Sequence, residues 1–125
     1  MEKEPRILVV EDDQAISGFL SLALTDEGYC VTTAENGWIG LTLVESFQPD
    51  LILLDMRLPI LDGRDFISVY TGSPQPVPII GISASRKTKD LAANLGLADF
   101  LEKPFSLDDL FERITRCLAQ RAAVS

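Results

Sequence analysis

The sequence predicts an α/β fold: a doubly wound, five-stranded parallel sheet with five helices on its two faces. Three observations predict it. Strand-length apolar runs alternate with segments of helical period along all 125 residues. Runs such as Leu51-Ile52-Leu53-Leu54 are apolar throughout rather than at every second position, the mark of strands covered on both faces. Four of the runs end in a polar residue, and the carboxyl ends of parallel strands are where open α/β sheets bind ligands.

The first strand is Ile7-Leu8-Val9-Val10, ending in Glu11-Asp12-Asp13. Asp13 suits the N-cap of a helix whose stripe is Ile16, Phe19, Leu20, Ala23 and Leu24, and Gly28 suits its stop. The second strand is Tyr29 to Thr33, rich in β-formers. Asn36-Gly37 breaks the chain before a helix over 38–47 that carries Ile39, Leu43, Val44 and Phe47. Pro49-Asp50 opens the third strand, which ends at Asp55. Leu58-Pro59 and Asp62-Gly63 punctuate a loop, and a short helix follows over 64–71. The proline-rich stretch 72–78 is a connector, too short for a domain linker. The fourth strand is Pro78-Ile79-Ile80-Gly81-Ile82, ending in Ser83-Ala84. A modest helix over 86–95 stops at Gly96, and the fifth strand, Asp99 to Glu102, ends in Lys103-Pro104. The last helix starts at Ser106 with Asp109 at the capping-box position, and its stripe is Leu107, Leu110, Phe111, Ile114 and Leu118. From Ala119 onward the chain is expected to fray or lead into a linker. Right-handed crossovers turn this βα alternation into a doubly wound sandwich.

Composition narrows the chemistry. A chain of this length is one ordinary domain, 1–125 with a core over about 6–118, and 46% apolar residues suffice for a packed interior. No run approaches a membrane span and Met1-Glu2-Lys3-Glu4-Pro5 has no apolar stretch, so a cytoplasmic protein with no membrane contact is the expectation. The net charge of −8 disfavours direct binding of nucleic acid, which needs clustered Lys and Arg. Cys30 and Cys117 have no metal or redox spacing. There is no histidine, which removes Ser-His-Asp triads, His-ligated metals and phosphate carried on histidine.

The strand ends gather Glu11, Asp12, Asp55, Ser83 and Lys103 on one edge. Two carboxylates about 4 Å apart repel by roughly 4 kcal/mol at an effective dielectric of 20. A hard cation resolves this, and Mg²⁺ favours one or two carboxylates together with a phosphate oxygen. Each residue also has a plainer reading. The acidic triplet is a turn and a helix cap about as often as a metal site, Asp55 can cap a turn, Ser83 can bond its own backbone, and most lysines are surface lysines. Asp55 is equally a candidate nucleophile forming an acyl phosphate. Haloacid-dehalogenase phosphatases share that chemistry, but they need a second acid two residues on, where this chain has Arg57.

Ile7-Leu8-Val9-Val10-Glu11-Asp12-Asp13, Asp55-Met56-Arg57-Leu58-Pro59-Ile60-Leu61-Asp62-Gly63, Ile82-Ser83-Ala84 and Lys103-Pro104-Phe105 stand in the order and on the strands of one known pattern. From Arg6 to about Leu118 the chain resembles the receiver domain of two-component response regulators, the CheY-like (flavodoxin-like) family. The resemblance implies strand order 2-1-3-4-5 and a phospho-accepting signalling domain that phosphorylates and dephosphorylates itself, with no effector domain in this chain. Asp55 is then the phosphoacceptor. Mg²⁺ is bound by Asp12, by Glu11 mainly through water, by Asp55 and by the backbone carbonyl of Arg57. Phosphoryl contacts fall to Met56, Ser83, Ala84 and Lys103, the switch to Ser83 and Phe100, and Lys103-Pro104 is expected to be cis. The implied partner is a histidine kinase or histidine phosphotransfer domain. Asp99 and Arg113 match positions that pair across the dimer in the transcription-factor branch, which implies a homodimer through the fourth helix, fifth strand and fifth helix. The alternative is a pseudo-receiver, an interaction module independent of phosphate. Serine stands at 83 where threonine is commoner and Phe100 where tyrosine is frequent, while Arg57 and Ser85 occupy the positions that tune acyl-phosphate hydrolysis. The segment from Ala84 to Lys103 is a little short for the family.

Overall fold

Continuous apolar runs take both faces of the central strands out of water, and the fold follows from covering them. The computed structural model describes residues 4–57, 62–70, 77–84 and 95–124. In chain order these form β1 (Arg6–Val10), α1 (Gln14–Asp26), β2 (Cys30–Ala34), α2 (Gly37–Phe47), β3 (Leu51–Asp55), α3 (Gly63–Tyr70), β4 (Ile79–Ser83), β5 (Asp99–Glu102) and α4 (Leu107–Val124). All five strands are parallel in the order β2-β1-β3-β4-β5. Residues 86–94 of the expected helix over 86–95, Leu58-Pro59 and most of the proline-rich connector lie outside the described residues, and Leu95 stands in a turn. No described helix is long and apolar enough to cross a membrane.

Alternate residues of each strand feed opposite cores. Ile7, Val9, Leu51, Leu53, Ile80, Ile82 and Leu101 pack with Leu20 and Leu24 of α1 and Leu110, Ile114 and Cys117 of α4. Leu8, Val10, Ile52 and Leu54 pack with Phe47 of α2 and Phe66, Ile67 and Tyr70 of α3. Phe66 is fully buried and stacks on Tyr70 with ring centroids 6.0 Å apart. We expect Phe66→Ala to cost about 3–5 kcal/mol through lost transfer energy and a residual cavity. Guanidinium unfolding with an unchanged denaturant slope measures it.

Helix ends follow the cap chemistry. Asp13 Oδ1 accepts from the N–H groups of Ala15 and Ile16 at 2.9 and 3.2 Å. Gly28, at φ 100°, closes α1 in a conformation that a side chain would strain. Asn36 Oδ1 accepts from Ile39 N–H, and Ser106 Oγ from Asp109 N–H.

Three expectations need correction. The second strand is Cys30–Ala34, one residue later than Tyr29 to Thr33, because Cys30 is the residue that pairs with Arg6. Phe19 is 56% exposed and Ile39 38%: the stripes that reach the sheet are narrower than the apolar positions suggested. The last helix runs past Leu118 to Val124, and the Arg121 guanidinium in its final turns lies 2.7 Å from Asp50 Oδ1. Within the chain Arg113 donates to the Asp99 and Asp109 carboxylates at 2.5 and 3.0 Å and to the Phe100 carbonyl at 3.1 Å.

Candidate phosphoryl-transfer and metal site

Ladder register sets the site. Val10 pairs with Leu54, so the next residues, Glu11 and Asp55, abut at the ends of β1 and β3. Asp55 pairs with Ile82 and Ser83 with Glu102, which puts Ser83 and Lys103 on the same edge. Backbone bonds carry the ladder one step past the strands: Glu11 N–H to the Ala34 carbonyl, Met56 N–H to Ile82 and Lys103 N–H to Ser83, at 2.8–2.9 Å. The Lys103-Pro104 peptide bond is cis, as expected.

Glu11 and Asp55 are buried and Asp12 is exposed; one carboxylate oxygen from each lies within 4.8 Å of the others. Lys103 Nζ sits 3.5 Å from Glu11 Oε1 and 3.6 Å from Asp55 Oδ2. The other Asp55 oxygen, Oδ1, accepts from Arg57 N–H at 2.9 Å. Asp55 is therefore held by one oxygen while the other faces the ammonium.

One lysine cannot neutralise three carboxylates. Burial, a hydrogen bond to Asp55 and repulsion from Asp55 and Asp12 push Glu11 up to about 8, against an opposing pull from Lys103. Without a cation, the site lowers its charge by keeping a proton. Three convergent oxygen donors, two of them buried, are the donor set of a hard divalent cation, so the residues fit Mg²⁺.

The remaining candidates fall around this centre. Ser83 is 1% exposed at the end of β4 and Ala84 is exposed just beyond it. Met56 is buried and Arg57 exposed. Phe100 is half-buried, its N–H on Asp99 Oδ1 and its carbonyl on Arg113. Ser85 lies outside the described residues. Sequence reasoning passed over Asp62, which caps α3 by accepting from Asp65 N–H at 2.9 Å; the Asp-Gly pair before an apolar stripe signals it.

The profile of the family described as "Response regulator receiver domain" matches residues 7–115, almost the whole chain. The chain belongs to this receiver family. Among curated relatives, the receiver is 39% identical over 119 residues to the transcriptional regulatory protein PcoR of Escherichia coli, covering 94% of this chain and 52% of that protein. It is 40% identical over 118 residues to the response regulator ArlR of Staphylococcus aureus, covering 93% and 53%. The chain spans about half the length of the curated relatives it matches. Among solved structures, a CheY-like response regulator receiver domain protein from Methanospirillum hungatei superposes with a TM-score of 0.90 at 28% identity, covering 98% of this receiver and all of that one. A receiver domain from Francisella gives 0.88 at 30% identity, covering 94% and 99%.

Proposed function

We propose that this receiver accepts a phosphoryl group on Asp55 from a histidine kinase or histidine phosphotransfer domain and converts it into a change of surface at β5 and α4. The observation that carries the reading is the placement of Asp55: buried, one oxygen fixed by Arg57 N–H, the other facing Lys103, with Glu11 and Asp12 alongside. A dedicated acceptor needs this arrangement and a structural aspartate does not. PcoR and ArlR, by name a transcriptional regulator and a response regulator, place the chain's relatives in regulation.

In this mechanism an Asp55 oxygen attacks phosphorus in line, the bond from phosphorus to the donor nitrogen or oxygen breaks, and the leaving group departs with the bonding pair. Asp12, Glu11, Asp55 and the Arg57 carbonyl would hold Mg²⁺, which supplies charge neutralisation for the transferring group. Lys103, already facing Asp55, pairs with the phosphoryl oxygens. Ser83 donates its hydroxyl to the new group, with the Ala84 N–H as a further donor, whereas the expected Met56 contact is displaced because its N–H is taken by the Ile82 carbonyl at 2.9 Å. Phe100, in register two residues behind Ser83 on the neighbouring strand, is the side chain free to follow. Water attack on the acyl phosphate resets the domain.

Arg57 borders the path of that water, and its exposed cationic side chain is bulky. We expect Arg57→Asn to shorten the lifetime of phosphorylated protein several-fold, about 1 kcal/mol in the hydrolysis barrier. Loss of phosphoprotein with time after donor removal measures it, and an unchanged lifetime would sink the assignment. The reading as a whole is tested by incubation with Mg²⁺ and acetyl phosphate followed by intact mass. The pseudo-receiver alternative predicts no gain, even with a competent histidine-kinase donor.

A further inference from the structure

The turn after Asp55 is fastened at more points than a loop at a strand end requires. Met56 N–H donates to the Ile82 carbonyl at 2.9 Å, and its carbonyl accepts from Gly63 N–H at 3.3 Å. Its side chain turns inward and is 7% exposed, while Arg57 beside it is exposed. Two glycines make the room. A methyl group on Gly63 would lie 2.7 Å from Met56 Sδ and 2.8 Å from its Cα. One on Gly81 would lie 3.3 Å from the same sulfur and 2.7 Å from Leu97 Cδ1. The thioether thus lies against the first residue of α3 and the middle of β4, two residues before Ser83.

This slot bears on Asp55 through one bond. Asp55 Oδ1 is oriented by Arg57 N–H, which reaches back across Met56. The carboxylate keeps its orientation only while the three-residue turn keeps its shape. Methionine is the side chain suited to such a gap, being unbranched, flexible and polarisable.

We propose that Met56 is a positioning residue for phosphoryl transfer: lodged against Gly63 and Gly81, its side chain holds the Asp55–Arg57 turn and so aims the Asp55 carboxylate. The inference rests on Asp55 as the acceptor.

The test compares Met56→Ala, the volume-conserving Met56→Leu, and Gly63→Ala, which pushes a methyl group into the slot from the other side. Two quantities are read in the full chain: exchange of the Arg57 amide hydrogen without metal, and the rate of phosphoryl uptake from acetyl phosphate at saturating Mg²⁺. Misplacing a reacting group by about 1 Å costs up to roughly a hundredfold. Met56→Ala is expected to exchange the Arg57 amide faster and to take up phosphate about tenfold more slowly, with Met56→Leu close to the parent. Gly63→Ala is expected to slow uptake although alanine is the better helix former, which keeps the test open if Met56→Ala does not fold. Folded Met56→Ala or Gly63→Ala with parental uptake and parental exchange overturns the proposal. A parent chain that takes up no phosphate overturns the reading of Asp55 instead, and the exchange data still decide whether Met56 holds the turn.

Discussion

Asp55→Asn gains no mass on incubation with Mg²⁺ and acetyl phosphate, where the parent gains one phosphoryl group. The expectation is a loss to below detection, because an amide oxygen is no nucleophile for an acyl phosphate. The substitution is nearly isosteric, and the amide oxygen can still accept from Arg57 N–H, so the turn keeps its fastening. What goes is one of the crowded carboxylates and its attraction to Lys103 at 3.6 Å. Folding should therefore survive and only the chemistry should vanish. Retained uptake in the variant would move the acceptor to another residue.

Mg²⁺ raises the thermal midpoint, and the metal-free protein loses stability as pH rises from about 5 to about 8. In the folded, metal-free chain Glu11 keeps its proton up to about 8, whereas the unfolded chain releases it near 4.5. Between those values the folded state binds the extra proton, so each step up in pH favours unfolding. The stability that the site contributes is present below the unfolded value and is lost as pH passes the folded one. Glu11→Gln is expected to flatten this slope, and a midpoint that rises with pH in the parent alone would contradict it. Bound Mg²⁺ replaces the proton as neutralising charge, so its affinity increases toward pH 8. At a hundred times its Kd it adds about 2.7 kcal/mol, on the order of 10 °C for a domain of this size. Chelation reverses both the gain and the uptake of phosphate.

The convergence of Glu11, Asp12, Asp55 and Lys103 is legible in the sequence because parallel strands in register deliver their last residues to one edge. The sheet is legible because its strands are apolar throughout. Boundaries set by pairing are not: nothing in Tyr29-Cys30-Val31 says that Cys30, not Tyr29, meets Arg6. The reach of α4 to Val124 is accompanied by a contact with Asp50, seventy-one positions from Arg121 in sequence, and an apolar stripe ending at Leu118 does not announce it. Phe19 and Ile39 look like core by composition, yet α1 presents Leu20 and Leu24 to the sheet and leaves Phe19 outside. The slot around Met56 is hidden for the same reason, since an absent side chain at Gly63 or Gly81 acquires meaning only when another residue fills the space. Half of the Arg113 pairing was within reach, because Asp109 and Arg113 stand at helical i,i+4 spacing.

That pairing would give any self-association through this face the character of an exchange reaction. Arg113 is already occupied by Asp99, Asp109 and the Phe100 carbonyl. Two copies meeting through Asp99 and Arg113 would trade contacts inside each chain for the same contacts between chains, with no new ion pair on the balance sheet. Charge at this face would then set the alignment of a pair, leaving its strength to apolar contact and to any event that shifts Phe100 and loosens the internal clamp. Swapping the charges at 99 and 113 together would keep their mutual attraction but set an acid at 113 against Asp109 and the Phe100 carbonyl, whereas neutralising Asp109 alone would tilt the exchange toward the partner.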